Sequence, residues 1–80
     1  MTKEEVIDII NKFLVEDFEI EESLLKPENM ITTDIGIDSL DIVDIIVRVN
    51  EVFGFKLDKQ ELMNVKTLDD FYELIYSHVG

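Results

Sequence analysis

Asp38-Ser39-Leu40-Asp41-Ile42-Val43-Asp44-Ile45-Ile46-Val47-Arg48-Val49-Asn50-Glu51-Val52-Phe53-Gly54 is the stretch whose reading decides the fold. Placed on a wheel at ~100° per residue, Ile42, Ile45, Ile46, Val49, Val52 and Phe53 share one arc, which is expected to face a core. Asp38 and Ser39 are both good residues for a helix start, and Gly54 provides a left-handed stop. The spacing therefore predicts a helix ending near Phe53. Its other arc carries Asp41, Asp44, Arg48, Asn50 and Glu51, interleaved with Leu40, Val43 and Val47. A merely solvated face would be polar throughout. This mixture suits a docking surface, where charge steers the encounter and apolar groups form the buried centre. It suits equally a central helix that touches core on more than one side, and periodicity alone leaves both readings open.

Working outward, Thr2 with Glu5 three residues later reads as a capping box. Val6, Ile9, Ile10, Phe13 and Leu14 follow at helical spacing, so a first helix is expected from about Lys3 to about Val15. A long connection, about Glu16 to Asp38, holds Pro27, Asn29, Asp34 and Gly36. Loops longer than ~15 residues are uncommon in small domains and are often functional. Its apolar patches (Phe18, Ile20, Leu24-Leu25, Met30-Ile31, Ile35) predict that it packs over the core. Beyond Gly54, Phe55-Lys56-Leu57 is extended and Asp58 to Met63 suffices for a short helical turn. Thr67 and Asp70 form a second capping box, ahead of a stripe at Leu68, Phe71, Tyr72, Ile75 and Val79. No segment sustains alternation at period two. The expected architecture is all-α: a small bundle of three main helices plus a short one, with a long loop between helices one and two, forming a single domain over residues 1–80.

Composition narrows the function. The 80 residues include 19 acidic and 7 basic side chains, a formal charge of −12, and no cysteine. So short a chain buries roughly 60% of its extended surface, which leaves little room for a deep active site. The absence of cysteine removes disulfides, thiolate zinc sites and cysteine nucleophiles. The sign of the charge argues against nucleic acid and anionic membranes as partners. A hydrophobic content of 46% is too high for an acidic disordered tail. No targeting segment is visible and the longest apolar run, Ile45-Ile46-Val47, is far short of a membrane span, so no membrane insertion and a cytoplasmic location are expected. No catalytic set emerges. Ser39 has no histidine in sequence reach, the one histidine, His78, reads as a surface residue, and with 19 carboxylates any acid pair is expected by chance. Asp34-x-Gly36-x-Asp38 is not a calcium loop, because Gly36, Ser39 and Ile45 occupy its third, sixth and twelfth positions.

Asp34-Ile35-Gly36-Ile37-Asp38-Ser39-Leu40-Asp41 resembles the D-x-G-x-D-S-L-[DE] signature of acyl carrier proteins. The likeness continues through Val43, Asp44, Glu51, Phe53-Gly54 and Leu57 to Val65, Thr67-Leu68 and Ile75, covering nearly the whole chain. The resemblance implies a shuttle rather than an enzyme, with 4′-phosphopantetheine esterified to the Ser39 hydroxyl by a phosphopantetheinyl transferase that draws on coenzyme A. The arm's thiol would carry an acyl thioester, so the chain needs no cysteine of its own. A serine in the first turn would set the phosphate near unpaired amides and the positive end of the helix dipole; the commoner role for a lone serine there is helix capping. Asp38, Leu40, Asp41, Val43, Asp44, Val47 and Glu51 would recognise basic patches on synthase, reductase, dehydratase or acyltransferase partners. A monomer is the form expected of a shuttle.

Several positions depart from the usual pattern. Arg48 and Asn50 interrupt the acidic run, Ile37 stands where a small residue is commoner, and Val47 replaces a longer side chain. Leu62 and Phe71 are bulky at positions that would line the cavity sheltering a growing chain. These departures point to a specialised member with its own partners rather than the housekeeping fatty-acid carrier. The alternatives are an aminoacyl, peptidyl or D-alanyl carrier with the same serine and arm, and, from another class, an unmodified acidic interaction domain. A charge of −12 on so small a body disfavours the compact state by self-repulsion that salt screens. The melting temperature at neutral pH should therefore rise as monovalent or divalent salt is added; a flat or falling curve would mean that the acids are locally compensated.

Overall fold

A computed structural model describes all 80 residues: helices α1 (Lys3–Glu16), α2 (Ser39–Phe53), α3 (Lys59–Met63) and α4 (Leu68–Val79), with a single 3₁₀ turn (Glu22–Leu24) inside the long connection. The all-α expectation holds, and boundaries agree within about one residue. Each α-helix starts where a side chain meets the free amides of its first turn. Thr2 Oγ1 accepts from the Glu5 amide while Glu5 Oε1 accepts from the Thr2 amide, at 3.2 and 3.0 Å. Thr67 and Asp70 make the same reciprocal pair. Those backbone hydrogen bonds hold the carboxyls of Glu5 and Asp70 below their ordinary range.

Amphipathic periodicity becomes one continuous core. Val6, Ile10 and Leu14 of α1, Ile45 and Val49 of α2, and Leu68, Phe71, Tyr72 and Ile75 of α4 are buried together. α1 packs on α4, and the short α3 bridges α2 and α4. The expected inner face of α2 is correct for Ile42, Ile45 and Val49, while Ile46 and Phe53 are half-buried. Val52 is a correction, being 44% exposed. Val52 lines an open surface recess with Ile9 and Phe13 of α1, so it sits at the rim of the helix packing rather than inside it. Gly54 adopts φ +76° and ends α2, its amide donating to Asn50 O.

The long connection packs over the core, as its apolar patches require: Ile31, Ile35 and Ile37 are buried. Its backbone is knitted rather than loose. Asp34 Oδ2 accepts from the Met30 amide at 2.7 Å, and the amides of Asp34 and Ile35 both donate to Met30 O. Ile31 N donates to Lys66 O beside an isolated bridge between Met30 and Thr67, a pairing too short to show as alternation in sequence. His78 is more than the plain surface residue expected. Its ring stacks on Phe55 with centroids 4.4 Å apart, and Nε2 lies 2.8 Å from Glu61 Oε2, joining the end of α4 to α3.

One buried polar contact gives a pH prediction. Tyr72 is 1% exposed, its hydroxyl bonds Asn11 Oδ1 of α1, and burial pushes its pKa up to about 12. An unfolded phenol titrates near 10. The neutral form is the one the fold favours, so its contribution is complete below about pH 10 and lost as pH rises through the folded value. The melting temperature of the wild type should drop between about pH 10 and 12, and Tyr72→Phe should flatten that drop.

Candidate functional site

The site begins with the N-cap of α2. Asp38 is extended, and its Oδ1 accepts from the amides of Leu40 and Asp41, both at 3.0 Å. Asp41 Oδ2 reaches back to the Asp38 amide at 3.4 Å. Capping therefore belongs to Asp38, and Ser39 is the first helical residue. Its hydroxyl takes no part in the cap and makes no hydrogen bond within the protein; the residue is exposed. The plain capping role for Ser39 is excluded by this geometry. One expectation needs correcting: a phosphate on Ser39 would not meet a set of unpaired amides, because Asp38 already occupies those of Leu40 and Asp41.

The loop before the helix presents this corner. Gly36 has φ +88°, a region that side-chain-bearing residues rarely adopt, and space around it is open, so the demand for glycine is conformational. The turn buries Ile35 and Ile37 on either side of it, with the Ile37 amide donating to Ile31 O at 3.0 Å. The Asp34 carboxylate that ties this loop to Met30 is a structural residue that motif reading alone left without a job.

Between α2, α3, α4 and the loop before α2 lies an apolar cavity of about 90 Å³, lined by the residues two before and three after Ser39 in sequence but not by Ser39 itself. Ile37 and Ile42 line it, as do Leu62 of α3 and Phe71 of α4. Ile37, Leu62 and Phe71, singled out separately along the sequence, thus converge on one space. An exposed, unbonded hydroxyl on the same helix as Ile42 and Ile45 of the apolar recess fits a tethered group with a polar stem and an apolar cargo. The residues present fit 4′-phosphopantetheine.

The outer face of α2 is mixed, as expected. Leu40 is 78% exposed, and Val43 and Val47 are about half exposed. At helical spacing Leu40, Val43, Asp44, Val47 and Glu51 form one stripe. The carboxylates are not equivalent. Asp38 and Asp41 are engaged in the cap, whereas Asp44 is exposed and has no ion pair. Arg48 does not stand as a free cation in the stripe: Nε lies 3.0 Å from Asp17 Oδ2, and Nη1 lies 3.5 Å from Glu51 Oε2. Asp17 and Glu51 face this guanidinium, and with Asp44 lining the same recess the patch holds three carboxylates to one cation and stays acidic. Asn50 is a correction. It is half-buried, and its Oδ1 accepts from the Leu57 amide at 2.8 Å, so it fastens the segment after α2 and does not belong to the outer face.

Residues 6–75 match the phosphopantetheine attachment site family. The chain is 30% identical to an acyl carrier protein of Coprothermobacter proteolyticus over 79 residues, covering 99% of this chain and 96% of that one. It is 29% identical to an acyl carrier protein of Thermotoga maritima, over 99% and 98% of the two chains. One from Phytoplasma mali is 33% identical over 88% of this chain and 83% of its own. The chain belongs to the acyl carrier protein family. It is a carrier and not a catalyst, and the group its family holds covalently is 4′-phosphopantetheine. No helix of this carrier is long and apolar enough to cross a membrane.

The division of labour at the start of α2 separates two variants. Asp38→Ala removes the acceptor for two amides and should destabilise the carrier by about 1 kcal/mol. On a domain of this size that lowers the melting temperature by roughly 4–8 °C. Ser39→Ala removes a hydroxyl with no partner and should stay within about 0.5 kcal/mol of wild type. Thermal unfolding followed by circular dichroism checks both; equal losses would mean that Ser39 shares the cap.

Proposed function

We propose that this chain is a single carrier domain, residues 1–80, which holds acyl intermediates as thioesters on a 4′-phosphopantetheine arm attached to Ser39 and delivers them to fatty-acid or polyketide-type enzymes. The observation that carries the assignment to Ser39 is its free, exposed hydroxyl at the first position of α2, left unspent because Asp38 does the capping. In the loading reaction that oxygen attacks the pyrophosphate of coenzyme A. A phosphodiester forms, the nucleotide departs with the cleaved phosphoanhydride oxygen, and the hydroxyl proton passes to a base of the transferase. The chain supplies the nucleophile and its position; the thiol that bears the cargo comes with the arm.

Partner enzymes meet the stripe Leu40, Val43, Val47 with Asp44 and Glu51, flanked by Asp38 and Asp41. Long-range attraction to basic patches raises the rate of encounter, and the apolar side chains provide the contact that persists after docking. The carrier works as a monomer, so that this face stays free for each partner in turn. The pairing of Arg48 with Asp17 and Glu51, together with Leu62 and Phe71 around the cavity, favours a specialised pathway over housekeeping fatty-acid synthesis. Apolar lining around the recess favours an acyl over an aminoacyl, peptidyl or D-alanyl cargo, because a charged amine would be buried there without a partner.

Coexpression with a broad-specificity phosphopantetheinyl transferase tests this reading. Intact-mass measurement should show one phosphopantetheine added to the wild type and none to Ser39→Ala. A wild type that stays unmodified would leave the unmodified interaction domain as the better description.

A further inference from the structure

The two flanks of α2 carry opposite charge. On the side of the long connection, Val47 shares a recess with Asp17, Phe18, Asp44, Arg48 and Glu51. That flank holds three carboxylates to one cation. On the side of α3, Ile46 shares a recess with Lys56, Leu57, Asp58 and Lys59. Here two cations stand against one carboxylate, and Asp58 is already engaged in capping α3, accepting from the Gln60 amide at 3.1 Å. Lys56 and Lys59 are exposed and make no ion pair. In a chain of net charge −12, two free lysines on one recess reverse the local sign. Their placement is fixed from α2 itself. Asn50 Oδ1 accepts from the Leu57 amide at 2.8 Å, which holds the segment bearing Lys56 against the helix. Val43 and Val47, each about half exposed, form an apolar ridge between the flanks.

We propose that the docking face of α2 is bipolar across the helix and selects a partner of matching chemistry: a protein surface that sets a cation over Asp44, an apolar side chain on Val43 and Val47, and a carboxylate between Lys56 and Lys59. The proposal rests on the carrier reading above and deepens it. A helix with its side chains is about 10–12 Å across, so the partner's two charges stand about that far apart. The Debye length at physiological salt is about 8 Å, so each flank acts on the groups that touch it and is not averaged into the net charge. A partner with cations on both sides of the ridge meets Lys56 and Lys59 as like charges, and such juxtapositions suppress wrong partners. The net charge of −12 disfavours a second copy of this chain as the occupant.

The test titrates the isotope-labelled full chain at physiological salt with two helical peptides of about 15 residues, each about 22 Å long. Both carry one leucine stripe. One has lysines in its first half and glutamates in its second, and the other has lysines throughout. Affinities come from NMR shifts of Val43, Asp44, Ile46, Val47 and Lys59. The mixed-charge peptide should bind about fivefold tighter than the all-lysine one, and Lys56→Glu combined with Lys59→Glu should reverse the order. Lys26→Glu with Lys66→Glu makes the same change in net charge at exposed lysines that line neither recess, and should leave the order as it is. Tighter binding of the all-lysine peptide to the wild type would overturn the proposal. So would a reversal in the Lys26 and Lys66 variant, which would make net charge the cause. Shifts at Asp44 and Ile46 that grow with carrier concentration in the absence of peptide would assign the face to a second copy and overturn the partner. Loading with phosphopantetheine, measured in parallel, reports on the carrier reading separately. A chain that loads but prefers the all-lysine peptide keeps its carrier role and loses the bipolar face; one that prefers the mixed-charge peptide but never loads keeps the face and loses the carrier role.

Discussion

The Asp38 carboxylate, held by the amides of Leu40 and Asp41, is the constraint on which the rest of the site depends. It fixes the residue at which α2 begins. That choice in turn sets Ser39 at the first helical position, with a hydroxyl that nothing else uses. One residue of slippage would exchange these roles, giving a capping serine and no free nucleophile. Register matters further along as well. With α2 starting at Ser39, Ile42, Ile45 and Val49 turn inward, and Leu40, Val43 and Val47 turn outward. A single cap thus aligns Ser39, the cavity wall formed by Ile42 and Ile45, and the outward stripe of Leu40, Val43 and Val47 on one helix.

The elements around α2 serve the same corner. Asp34 folds the preceding loop onto Met30, and the left-handed Gly36 lets it turn sharply enough to bury Ile35 and Ile37. The short α3 could not stand alone at five residues. It is held by Asp58 at its start, by Leu62 in the core, and by the Glu61 contact with His78, whose ring is stacked on Phe55. These contacts hold Leu62, which lines the cavity, in place.

Much of this was legible in the sequence because it is local. Capping boxes, the stop at Gly54 and the buried stripes of α1 and α4 all follow from residues within a turn or two of one another. The family was legible from the octapeptide around Ser39, a string too specific to arise from helix rules alone. What failed was tertiary. Val52 satisfies the helical period of α2 but lines an open recess beside Ile9 and Phe13 instead of entering the core. Asn50 belongs to the outer arc of a wheel, yet its amide reaches Leu57, seven residues on. Whether Asp38 or Ser39 caps α2 was also undecided by residue type, since both are good caps; only the extended backbone of Asp38 and its two amide bonds separate them. The pairing of Arg48 with Asp17 spans two elements and has no signature in spacing.

On the proposed function, the arm is carried by the free hydroxyl of Ser39. The chain has three serines, Ser23, Ser39 and Ser77. Ser77 Oγ is already bonded to Leu74 O, and Ser23 lies in the 3₁₀ turn of the long connection. Tandem mass spectrometry of the modified wild-type chain, fragmented to retain the adduct, tests the claim most directly. The phosphopantetheine mass is expected on Ser39 alone. An adduct mapped to Ser23 or Ser77 would contradict it.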